Sequence, residues 1–119
     1  MIVKHDTVDP IDFDGLRILD YTSELETASS FAVIRVPPGV GHAEAWSKRS
    51  DKYYYVADGA IEFTLAGEVH TLTAGDFCVV PQGQRFSYRN NETVEAQLHL
   101  MHTPGFDVDS EVFVEEADG

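Results

Sequence analysis

The chain has 119 residues, 43% of them apolar and 11% aromatic, one cysteine (Cys78), and a formal net charge of −13. That suits one domain with one core and excludes a disordered, collagenous or low-complexity chain. It also excludes an internal disulfide, a multi-cysteine zinc site and a membrane-spanning helix, and so much negative charge argues against nucleic acid as a partner.

In chain order, residues 1–26 carry a net −5, and Met1–Asp6 lacks the apolar stretch of a signal peptide, so the protein is expected to be cytoplasmic. A helix is expected only near the N-terminus, a short one around Asp9–Gly15 or Leu25–Ala28. From there on, short β-rich runs alternate with turn signals: Leu16–Tyr21, Ser29–Val36, His42–Ser47, Lys52–Ala57, Ala60–Leu65, Val69–Thr73, Phe77–Val80, Arg85–Arg89 and Thr93–His102. Pro37-Pro38-Gly39 cannot continue a ladder. Asp58-Gly59 is a hairpin dipeptide whose residues tolerate positive φ, and Ala66-Gly67 and Ala74-Gly75-Asp76 are further turns. Residues 107–119 carry a net −6 with no base and are expected, like the acidic N-terminal stretch, to be solvated surface.

Alternation assigns faces. Ile61, Phe63 and Leu65 oppose Glu62 and Thr64, and Phe86 and Tyr88 oppose Arg85, Ser87 and Arg89. On the last run Leu98, Leu100 and His102 share one parity and Gln97, His99 and Met101 the other, and periodicity leaves open which of the two is interior. Many short strands in one small domain predict an all-β sandwich or closed barrel.

The spacing of glycines resembles the two motifs of the cupin family. Gly39, five residues, Ala45-Trp46-Ser47, four residues, Lys52, six residues and Gly59 follow the first motif. Gly75, five residues, Pro81-Gln82-Gly83, two residues, Phe86, three residues and Asn90 follow the second. The resemblance covers residues 29–106 of a single domain, 1–119. It implies a cupin jelly-roll β-barrel with an N-terminal strand extension, and a homodimer built through an outer sheet face bearing Tyr53 and Tyr55, with Trp46 on the outward parity.

The family places two histidines, a glutamate and a third histidine where this chain has Ala45, Ser47, Lys52 and Phe86. Alanine and phenylalanine offer no lone pair, serine is a poor neutral ligand, and an ammonium repels a cation. The expectation is therefore no metal and no cofactor. A displaced site would need His42 and Glu44, with His99 or His102; but His42 and Glu44 have the opposite parity to Ala45 and Ser47, so a regular strand turns them outward. If the family register holds, Ala45, Ser47, Lys52, Tyr54, Phe86 and Tyr88 line a mostly apolar pocket suited to a small-molecule ligand, anionic or aromatic. Lys52 either binds such an anion or snorkels to the barrel mouth.

Two functions follow as expectations. One is a metal-free small-molecule-binding protein with a sensing, carrier or accessory role. The other is an enzyme: a metal-independent isomerase or lyase using Lys52 with Tyr54 or Tyr88, or a metal-dependent oxygenase or isomerase with a displaced site.

Overall fold

The structure, a computed structural model, describes residues 1–114. The strands are β1 (Ile11–Phe13), β2 (Leu16–Asp20), β3 (Ser30–Val36), β4 (Gly41–Ser47), β5 (Asp51–Asp58), β6 (Ala60–Leu65), β7 (Glu68–Thr73), β8 (Phe77–Val80), β9 (Phe86–Arg89), β10 (Ala96–Thr103) and β11 (Glu111–Phe113). They form two antiparallel sheets, ordered β1-β2-β3-β10-β5-β8 and β11-β4-β9-β6-β7. This is the cupin jelly roll, and β1 and β2 are its N-terminal extension, laid against β3.

The strand alternation decides what is inside. Ile34 and Val36 of β3, Tyr54 and Val56 of β5, and Leu98 and Leu100 of β10 face Ile61 and Phe63 of β6 and Phe86 and Tyr88 of β9 in one core. Burying each such side chain contributes about 1.5–3 kcal/mol. The parity left open on β10 is settled: Leu98, Leu100 and His102 point in, while Gln97 and His99 lie on the outer face, 3.3 Å apart side chain to side chain. Asn90, fully buried, ties its own loop to the end of β3, its amide donating to the carbonyls of Val36 and Val94 and its oxygen accepting from the Glu92 amide. That satisfies an otherwise costly buried polar group.

Three local expectations are corrected. Residues 9–15 do not form a helix: Ile11 and Phe13 pair with Ile18 and Leu16, and Asp14 (φ 51°) with Gly15 (φ 93°) makes a tight hairpin turn. The Leu25–Ala28 stretch is irregular; the helical turns are 3₁₀ turns at His5–Thr7 and Val108–Ser110. Asp58-Gly59 is not a hairpin but a corner, because β5 and β6 belong to different sheets. There only Gly59 takes positive φ, and a Cβ on it would stand 2.9 Å from the Ala96 Cα. Ala66 (φ 53°) and Gly67 (φ 81°) form the true hairpin, between β6 and β7.

Candidate functional site

Along β10 the interior changes character. Around Ala96 and Leu98 it is filled. Around Leu100 and His102 it opens into a cavity of about 240 Å³, far more than the ~30 Å³ share of one water. Phe13, Leu16, Ile18, Ala32, Leu100 and Phe113 supply much of its apolar wall; Asp20, His42, Lys52, Tyr54, Tyr88, His102 and Glu111 supply polar groups. An apolar chamber with a few placed polar groups is the usual form of a small-molecule site.

Lys52 is buried at 3% exposure, yet neither snorkels to the mouth nor stands alone: it forms a hydrogen-bonded ion pair with Glu111. Glu111 opens β11, which pairs with β4 through Glu111↔Ser47, Val112↔Trp46 and Phe113↔Ala45. The acidic C-terminal stretch is thus not all solvated surface, which corrects the expectation from its composition. One of its carboxylates is the internal partner of Lys52, with its side chain 6% exposed. Burial lowers the Lys52 pKa from the ordinary lysine value, and the Glu111 carboxylate opposes that shift. The ammonium also stands 5.0 Å from the Phe86 ring centroid, a favourable cation–π position.

His42 also departs from the parity expectation. On β4, His42 pairs with Tyr88 and Ala45 with Phe86, so β4 spends one residue more than β9 between these points. This is a β-bulge. Ala43 and Glu44 both face solvent, and His42 turns into the barrel. Gly41 allows the close approach just before it, since a Cβ there would stand 2.1 Å from the Tyr88 carbonyl oxygen. The imidazole stacks on Phe113 (5.6 Å, 18° between planes) and packs 5.0 Å from Phe86. Nδ1 lies 2.7 Å from the Ala43 carbonyl oxygen. A carbonyl only accepts, so Nδ1 carries the proton and Nε2 keeps its lone pair. Burial, helped by the Lys52 charge, lowers the His42 pKa despite the Ala43 bond, so the ring is neutral near pH 7.

Two further groups of the lining are buried with orphaned polar atoms: the Tyr88 hydroxyl and His102 Nε2 have no protein partner, and neither does the second oxygen of Glu111. Burial pushes the His102 pKa down to about 3, with Lys52 adding to the shift. Burial raises the Tyr54 and Tyr88 phenols above their ordinary value, so both stay protonated. Unpaired buried polar groups cost stability, and three on one cavity make a hydrogen-bonding set for a guest.

Of the six residues expected to line a pocket, Lys52, Tyr54 and Tyr88 lie on the cavity wall. Ala45 and Phe86 are packed in the core behind it, Phe86 stacked 6.1 Å from Phe63. The Ser47 hydroxyl accepts from the amides of Arg49 and Ser50, holding the turn after β4. His42, His102 and Glu111 join the wall. His42 stands out by residue type, but the bulge that turns it inward has no signature in side-chain alternation; Glu111 is one acid among six in its stretch and does not stand out.

The described residues that line the cavity offer no set of donors arranged for a divalent ion. Among the described residues no three of His, Cys, Asp or Glu converge as ligands. Glu44 is exposed outside the barrel and His99 lies on the outer sheet face, so neither joins His42 and His102.

Residues 32–102 match the family model described as Cupin domain. No curated protein matches the chain. Among solved structures, Pac13, described as a nucleoside dehydratase, superposes with a TM-score of 0.84 at 22% identity, over 97% of this chain and 91% of its own. Forms of Streptomyces Pac13 altered at a histidine or at either of two tyrosines are solved with uridine. KdgF from a Halomonas species superposes with a TM-score of 0.81 at 21% identity, over 92% of this chain and 97% of its own. A predicted oxalate decarboxylase from Thermotoga maritima reaches 0.79 at 18% identity, over 87% and 99%. At these identities the likeness is one of fold.

Proposed function

The chain belongs to the cupin family, and on that premise we propose that it binds a small hydroxylated compound in the barrel and eliminates water from it by metal-independent acid–base chemistry. The observation that carries this reading is the neutral His42, its Nε2 lone pair free, in one cavity with the unpartnered Tyr88 hydroxyl. A general base has to be unprotonated at working pH and hydrogen-bond to what it attacks. Burial secures the first condition for His42.

The step takes a β-hydroxy carbonyl compound. His42 Nε2 removes the proton on the carbon next to the carbonyl. The electron pair left behind forms the carbon–carbon double bond as the β-hydroxyl departs. The His42 imidazolium, an acid stronger than usual because burial disfavours its charge, returns the proton to that hydroxyl, which leaves as water. Tyr88, whose phenol holds its proton tightly, orients the hydroxyl by hydrogen bonding rather than by ionising. The Lys52–Glu111 pair, neutral as a unit, meets the substrate as a polar partner rather than as a free charge. The likeness to Pac13, a nucleoside dehydratase solved with uridine, supports a nucleoside- or sugar-like substrate. KdgF, also similar in fold, adds no residue to this argument.

The test is a panel of β-hydroxy carbonyl compounds, nucleoside-derived and sugar-derived, followed by ultraviolet absorbance for a new conjugated double bond. Turnover that disappears in His42→Gln supports the reading. Thermal stabilisation by a ligand with no product would favour a carrier or sensor instead. Outside the barrel, Phe31, His99 and Tyr55 pack edge to face or tilted on the six-stranded sheet. A second copy of the chain would cover this face in the homodimer we propose, and sedimentation velocity tests it.

A further inference from the structure

Among the described residues that line the cavity, Lys52 carries the one permanent positive charge, and Glu111 already holds it. A buried ammonium without a partner is a strong anion site, whereas one that has a carboxylate within hydrogen-bond reach gains little from a second. The other groups add no cation. His42 and His102 are neutral, Tyr54 and Tyr88 are neutral phenols, and Asp20, whose carboxylate accepts from the Thr22 amide and hydroxyl, brings a further negative charge. An anionic guest would enter an apolar chamber with no free counter-ion and a carboxylate at each of two points.

We propose that Glu111 is a specificity-determining residue: as the built-in counter-ion of Lys52 it reserves the cavity for uncharged polar compounds and refuses anions of the same shape. The chemical class is a neutral ring compound with hydroxyl or amide donors, a nucleoside rather than a nucleotide, a sugar rather than a sugar acid. Its donor meets the orphaned second oxygen of Glu111, and its acceptor meets the Tyr88 hydroxyl. This rests on the reading of the cavity as the ligand site but not on the elimination of water.

Benzamide and benzoate, equal in size and opposite in the property at issue, are titrated by calorimetry into the full chain and into Glu111→Gln. The full chain should prefer benzamide by roughly tenfold or more, and Glu111→Gln, which leaves the ammonium uncompensated, should reverse the preference. If benzoate binds the full chain as well as benzamide, if Glu111→Gln leaves the ratio where it was, or if neither compound binds either protein, the proposal is overturned. Lys52→Met guards against a Glu111→Gln protein that does not fold: it strands the carboxylate and should select the cation benzamidine over benzamide, while equal binding of the two sinks the idea. Binding is the only readout. A chain that catalyses nothing can therefore uphold the charge rule, and an active lyase that accepts anions overturns it with its catalysis intact.

Discussion

The two ends of the barrel are built from the same strands and do opposite things. At the Ala96–Leu98 end of β10, the neighbours across the ladders are Val36, Ile34 and Val56, and the space between the sheets is closed by Ile61 and Phe63. At the Leu100–His102 end, the ladder neighbours are Ala32, Ser30, Tyr54 and Lys52, and the space stays open. One end sheds water, and its buried polar side chain, Asn90, has its hydrogen bonds met within the chain. The other keeps an ion pair, two neutral histidines and orphaned hydrogen-bonding atoms, which stability alone does not explain. Stability thus resides in one end, and the capacity to recognise a guest in the other.

Substitutions should separate the ends. Phe63→Ala, at the filled end, should cost about 3–5 kcal/mol, read as a lowered denaturant midpoint; a loss under about 1 kcal/mol would mean that this end is not close-packed. His42→Gln, at the open end, should lower turnover by about 10²–10⁴-fold with a melting temperature close to that of the parent, and a fall in both together would assign His42 to the core instead. A weaker effect is expected from acid. His102 is depressed to about 3 in the folded chain, whereas an unfolded histidine titrates near ~6.5. Between those values the unfolded chain binds more protons, so stability is complete above the ordinary histidine value and declines as pH falls through that window. The decline should be shallower in His102→Gln, measured by melting at pH 7 and pH 5. The smallest effect should come from Tyr88→Phe. Its hydroxyl has no protein partner, so the melting temperature should hold or rise slightly while affinity for a hydroxylated ligand falls. A clear loss of stability would reveal a structural bond.

The filled end was legible in the sequence because its code is alternation and turn chemistry. Ile61 and Phe63 announce one face, Phe86 and Tyr88 another, and the glycine spacing around Gly39, Gly59, Gly75 and Gly83 carries the jelly roll. The open end was legible only in part. Lys52, Tyr54 and Tyr88 obey regular parity and were found. His42 is legible as a candidate ligand but alternation assigns it to the outer face, since periodicity assumes one residue for one and a bulge follows it. Glu111 was hidden by its setting: composition treats a run of acids as solvent-facing, and only the pairing of β11 with β4 carries one of them inside. The same limit applies to Ile11 and Phe13, whose two-residue spacing was too short to read as a strand until the Asp14-Gly15 turn folded it back on β2.

The bulge on β4 also ties the barrel's chemistry to the way that strand pairs with β9. Because Ala43 and Glu44 together span one pleat, removing either would restore strict alternation between Gly41 and Ala45. The imidazole would then keep its inward side, now two residues before Ala45, so its place inside survives the loss of one residue here. The hollow's basicity is thus held by how β4 docks on β9 rather than by the spacing of His42 along the chain.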